Sequence, residues 1–211
     1  MPDFSITDVD ERLFFLNSAE LLVAIFRGPD TDGWAAIFSA GLPELVSQVP
    51  KSSAELTATL NKLQDSLLVS SEIGEPFSDL QTEYVRLFVA GSGGVIAPLY
   101  ESCHLGAAPR IMGDAALAMR SRLGECGLEV SLESNEPPDH ISLELEYLYH
   151  LLASAWSDNR PELEVRARDF ARLDMLPWVR RFRDSLGQGT PHPVFLCAAD
   201  LTIALLGAVG G

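Results

Sequence analysis

Apolar residues in this chain return at every third or fourth position, and no stretch alternates convincingly with a period of two. That pattern lays one apolar stripe along each of a series of helices and leaves nothing from which to build a sheet. In SSAELTATLNKLQDSLLVSS (52–71), Leu56, Leu60, Leu63 and Leu67 step by four, three and four behind a capping-box pair, Ser52 and Glu55. DVDERLFFLNSAELLVAIFRG (8–28) carries acids in its first turn and stops at Gly28. FSDLQTEYVRLFVA (77–90) runs into the GSGG of 91–94, and a helix over about 111–125 is closed by Gly127. RPELEVRARDFARLDML (160–176) has proline in its first turn, Pro177 is expected to start a separate segment, and HPVFLCAADLTIALLG ends the pattern.

The expectation is an all-α fold: a single helical domain over 1–211, built from about eight or nine helices. Phe14, Leu60, Leu63, Leu145, Leu148 and Leu152 are its predicted core. The Gly- and Pro-marked stretch 91–109 is either a hinge between two lobes or a long functional loop. A hinge there would also allow domain exchange, so the expected state is a monomer with a minor swapped dimer.

Charge narrows the partners. The formal net charge is −15, a surface that repels phosphate backbones and attracts basic peptides. Residues 160–183 run against this balance, with 7 arginines and 4 acids, and read as a solvated helix face. Three cysteines without a CxxC spacing fit a reduced, cytoplasmic setting, and MPDFSITDVDER lacks the apolar core of a signal peptide. VFLCAADLTIALLGAVGG (194–211) is apolar but short for a membrane span and holds Asp200, so it is expected to be a buried helix.

NEPPDHISLELEYLYHLLASAW (135–156) concentrates polar chemistry at the head of an apolar helix. Pro138 disfavours helical geometry at Pro137, so the helix is expected to begin at Pro138, with Asp139 in its first turn. At roughly 100° per residue, Ile141, Leu145, Leu148, Leu152 and Trp156 share one face, while Ser142, Glu146 and His150 point to solvent. Glu144 sits at the flank of the apolar sector, one turn after His140, and a carboxylate there needs a partner. Two readings stand: a structural Glu144–His140 pair that closes the helix end, or a polar cluster of Glu136, Asp139 and His140 lining a cleft.

Catalytic signatures are missing. His140 and Glu144 have metal-ligand spacing, but no third ligand is evident beyond His104 in a distant loop, so no metal is expected. No G-x-S-x-G is present, no cysteine sits in an activating setting, and GSGG follows a helix without a Lys-Ser/Thr. No cofactor and no enzymatic activity are expected.

Glu136-Pro137-Pro138-Asp139-His140 resembles the E-P-x-D-H signature of the TorD/DmsD family of redox-enzyme maturation chaperones. Tyr84-Val85-Arg86-Leu87-Phe88 resembles that family's Y-x-x-L-F helix end, and Ala97-Pro98-Leu99-Tyr100-Glu101-Ser102 its P-P-aromatic-x-S loop, with Leu99 in place of the second proline. Leu176-Pro177-Trp178 and His192-Pro193 match the openings of its late helices, in order, from about residue 8 to 207. The resemblance implies an all-helical chaperone that binds the twin-arginine signal peptide and the apo form of a molybdenum-cofactor enzyme, delaying export until the cofactor is inserted. It implies a peptide site of Tyr84, Leu87, Phe88, Pro98, Tyr100, Ser102, Glu136, Pro137, Asp139 and His140, with Glu144 holding His140 from behind. Acids beside an apolar-aromatic groove suit a basic segment followed by an apolar one. The alternatives are an all-α adaptor subunit, or a small nucleotide-binding or hydrolytic protein using His140 and Asp139. Family members are linked to guanine nucleotide, for which the sequence shows no phosphate cradle.

Overall fold

The computed structural model describes residues 6–50, 54–72, 74–91, 93–105, 111–130 and 136–211. Ten α-helical segments lie among them: α1 (Val9–Phe26), α2 (Thr31–Ala36), α3 (Leu42–Ser47), α4 (Ala54–Ser71), α5 (Ser78–Tyr84), α6 (Asp114–Glu125), α7 (Ile141–Ser157), α8 (Pro161–Asp169), α9 (Leu176–Gln188) and α10 (Pro193–Gly210). Three π-helical stretches connect or extend them. Ile37–Gly41 fuses α2 to α3, Val85–Val89 prolongs α5, and Phe170–Met175 fuses α8 to α9. Eight continuous rods result, within the predicted range. Among the described residues there is no strand; an isolated antiparallel bridge joins Tyr100 and His140.

The helix ends follow local chemistry. Asp8 caps α1 by accepting from the Glu11 N–H at 3.0 Å, with Asp10 and Glu11 on the positive end of the dipole. The capping-box position Ser52 lies outside the described residues. Pro177 opens α9, as expected, but without a break from the helix before it. It falls in the first turn of α9, just after the π stretch, where Leu176 N–H reaches back to Ala171 O, and the rod continues through it. Pro43 stands in the same relation to the first π stretch. Widening the helix by one residue resets the ladder, so a proline missing its N–H is accommodated without a break.

Buried apolar side chains form one cluster, from Phe14 on α1 to Val209 on α10, and every predicted core position is in it. α1 packs along α7, and α4 along α10, which also lies on α9. α10 is long and apolar enough to cross a membrane, but 61% of it is buried inside the fold, as the core-helix expectation requires. Asp200 is kept at the edge by Arg183 at 2.7 Å. Of the seven arginines of 160–183, Arg160, Arg172, Arg180 and Arg181 are exposed, as expected of a solvated face, and the other three are half-buried. Arg166 bonds Glu125 at 2.6 Å while lying over Tyr147, and Asp174 accepts from Arg122 at 2.8 Å.

α1 ends against the future site. Gly28 has φ +70°, and a Cβ there would lie 2.7 Å from the Tyr84 ring. Gly28→Ala therefore meets both a left-handed backbone and a filled space, and is expected to cost about 1–2 kcal/mol in urea unfolding. An unchanged midpoint would mean that Tyr84 yields without loss.

Candidate functional site

The loop after the second π stretch is tied to the head of α7 by its backbone. Ile141 N–H donates to Leu99 O at 2.9 Å and Glu101 N–H to Asp139 O at 3.0 Å, so residues 99–101 lie antiparallel to 139–141. Upstream, the Ile96 and Ala97 N–H groups both reach Leu87 O, at 3.1 and 3.0 Å. His104 Nε2 bonds Pro98 O at 2.7 Å, closing the loop on itself. Much of the candidate hinge 91–109 is thus anchored; Ser92 and residues 106–110, including Pro109, lie outside the described residues.

The helix begins later than expected. Pro137–Asp139 form a turn, His140 is the N-cap, and Ile141 is the first helical residue. His140 Nδ1 faces the Ser142 N–H at 3.2 Å and the Ser142 hydroxyl at 2.8 Å. A lone pair that accepts from both leaves the ring proton on Nε2. Histidine is not among the usual caps, yet His192 does the same for α10 through Val194 N–H. Ser142 is buried by this bond, against the expectation that it faces solvent. Burial pushes the His140 pKa down; Glu136 and Asp139 oppose this, and Arg27 adds to it.

Asp139 is fully buried. One carboxylate oxygen accepts from the Ser102 N–H at 2.9 Å and from the Ser102 hydroxyl, which itself accepts from Gly113 N–H at 3.2 Å. Asp139 was expected at the groove wall beside a peptide; it works from within, holding the loop's 3-10 turn, Glu101–Cys103. His140, Ser102 and Leu87 are likewise buried, so neither His140 nor Asp139, the two residues of the hydrolytic reading, is exposed.

Glu144 does not pair with His140. Its carboxyl accepts from Trp178 Nε1 at 3.0 Å and shares a hydrogen bond with Glu101. Two adjacent buried carboxyls can bond only through a proton. Glu144 is pushed well above the usual carboxylate range, by burial first and then by Glu101. Glu101 is raised by burial as well, with the Glu144 bond and Arg122 working the other way. Trp178 stacks on His104, ring centres 5.7 Å apart and planes at 21°. Trp178 was noticed in the sequence only as a motif residue, and Glu101 and Arg27 carried no signal as site residues.

The accessible part is a rim above this frame. Tyr100 donates its hydroxyl to the exposed Glu136 carboxylate at 2.7 Å and sets its ring against His140, centroids 5.3 Å apart. Tyr84 stands nearby: Glu136 raises its phenol pKa after burial does, and its hydroxyl donates to Phe26 O at 2.8 Å. Phe88 stacks edgewise on Tyr84 at 5.0 Å and on Phe195 at 5.3 Å. Tyr84, Pro98, Tyr100 and Pro137 are half-buried. The structure brings together the predicted residues, but as two layers.

Elsewhere, Ser70, His192 and Asp79 meet in a triad-like group, yet His192 Nε2 faces both Ser70 Oγ at 3.2 Å and Asp79 at 3.4 Å. A relay needs the carboxylate on the opposite ring nitrogen, which here caps α10. Among the described residues, no group of three or more His, Cys, Asp or Glu side chains could hold a metal ion.

Comparison with known proteins places these features. The family described as nitrate reductase delta subunit matches residues 49–184. The chaperone protein TorD of Vibrio cholerae serotype O1 (strain ATCC 39541) is 27% identical over 198 residues, covering 92% of this chain and 84% of that protein. The chaperone protein TorD of Salmonella arizonae is 22% identical over 188 residues, covering 89% and 85%. A crystal structure of a candidate redox enzyme maturation protein from Archaeoglobus fulgidus superposes with TM-score 0.56 at 24% identity, over 88% of this chain and 90% of that one; the likeness is one of fold.

Proposed function

Since the chain belongs to the nitrate reductase delta-subunit family, we propose that it is a redox-enzyme maturation chaperone acting in the cytoplasm. Its ligand is the twin-arginine leader of an apo molybdenum-cofactor oxidoreductase, held until the cofactor is in place. The observation that carries this reading is the Tyr100–Glu136 rim: an exposed carboxylate fixed by a tyrosine at the edge of an aromatic surface. Such a rim offers a basic segment its charge partner and an apolar segment a ring to lie on. Tyr84, Pro98, Tyr100, Glu136 and Pro137 form the contact layer. Leu87, Phe88, Ser102, Asp139 and His140 form the frame beneath it, with Glu144 behind.

A synthetic leader is expected to bind in the micromolar range, about −8 kcal/mol, and more weakly as salt is raised. Tyr100→Ala is expected to weaken binding roughly tenfold with little change in thermal melting, because the ring is half-buried and touches α7 only at its cap, His140. Calorimetric titration checks both. Equal affinity for a scrambled leader, or a Tyr100→Ala protein that binds as wild type does, would overturn the reading.

A further inference from the structure

Arg27, the residue after α1, borders the rim, because the preceding Phe26 carbonyl holds the Tyr84 hydroxyl and the Arg27 charge acts on His140. From Arg27 a pocket of about 460 Å³ opens between α1 and α7, lined by Glu20, Val23, Ala24, Arg27, Glu146 and Tyr149. On α1 the lining residues fall three and four apart, and on α7 three apart, so two helix stripes face each other across the space.

Its chemistry is that of a receptor for a cation on an aliphatic stem. Val23 and Ala24 supply an apolar floor between two carboxylates, Glu20 and Glu146. Tyr149 hydrogen-bonds Glu20 and holds that carboxylate in the wall. Pockets of this size take a side chain or two rather than a helix. One cation of the right kind is already there: the Arg27 guanidinium is paired with Glu146, although its side chain is 58% exposed. With two carboxylates against one guanidinium the pocket keeps a net negative charge.

We infer that this pocket is the subsite for an arginine side chain of the bound leader, and that Arg27 is an internal stand-in which the leader's arginine displaces from Glu146. The inference rests on the leader-binding reading. It adds a second contact to the rim: methylenes lie on Val23 and Ala24 while the planar cation meets Glu20 and Glu146. Arg27 thus competes with the leader's arginine for Glu146, and a leader without that arginine gains nothing from the pocket.

The test titrates the full chain with three synthetic leaders whose paired arginines are kept, replaced by lysines, or replaced by glutamines. For the arginine leader, Glu20→Gln is expected to weaken binding about threefold and Arg27→Gln to tighten it about threefold, the scale of a partly exposed ion pair. Both effects should disappear with the glutamine leader. If Tyr100→Ala weakens the arginine leader while Glu20→Gln and Arg27→Gln leave it unchanged, the rim binds alone and the subsite is overturned, with the chaperone reading intact. If no leader binds wild type, N-acetyl-arginine amide decides. Saturable NMR shifts at Tyr149 and the Arg27 side chain, lost in Glu20→Gln, would uphold the pocket without the leader; no such shifts would overturn it.

Discussion

Trp178→Ala is expected to destabilise the fold by about 4 kcal/mol, and Trp178→Phe by only about 1–2 kcal/mol. The first removes a fully buried ring packed on Phe182 and stacked on His104, and opens a cavity at the base of α9. The second keeps most of the ring and deletes the Nε1–H bond to Glu144. Denaturant unfolding separates the two, and equal costs would mean that the hydrogen bond, not the packing, carries the site. Trp178→Ala should also lose leader binding per folded molecule. His104, which closes the loop onto Pro98 O, loses the surface it stacks on.

Glu144→Gln is expected to change how stability depends on pH. The Glu144 carboxyl is raised in the folded protein by burial and by Glu101, with Asp139 adding to it. Folded chains therefore hold a proton that unfolded chains have released, once the pH passes the ordinary carboxylate range. Its stabilising effect is complete below the unfolded value and is lost as pH rises through the folded one, at up to about 1.4 kcal/mol per pH unit. Glutamine keeps the shape, accepts from Trp178 and donates to Glu101 without titrating. The difference between Glu144→Gln and wild type should be near zero at acid pH and grow in favour of the variant toward neutral and alkaline pH. Taking the difference removes groups with opposite behaviour, such as Glu83, whose pKa the Arg86 bond lowers. A flat difference across pH would mean that Glu144 is ionised in the fold.

What could be read without coordinates was local. The stripe Leu56, Leu60, Leu63 and Leu67 is buried, Asp8 and Gly28 mark the ends of α1, and Glu136 to His140 do gather at the head of α7. These follow from a 3.6-residue period and from side chains bonding backbone within a turn, interactions that a dozen residues define.

What the sequence left open involved distant partners. Whether Glu144 answers to His140 or to Trp178 depends on a helix 34 residues away, and whether Asp139 faces a ligand or Ser102 on a loop 37 residues away. Arg27 and Glu146, 119 residues apart, give no local sign of meeting. Pro177 opens a helix as expected, but that a π stretch joins α9 to α8 without a break had no sign in the sequence. Periodicity thus determined which residues form helices and which faces they bury. Only the packing of those helices decided which polar groups lose water, and a buried carboxyl or imidazole takes its role from the donors that replace that water.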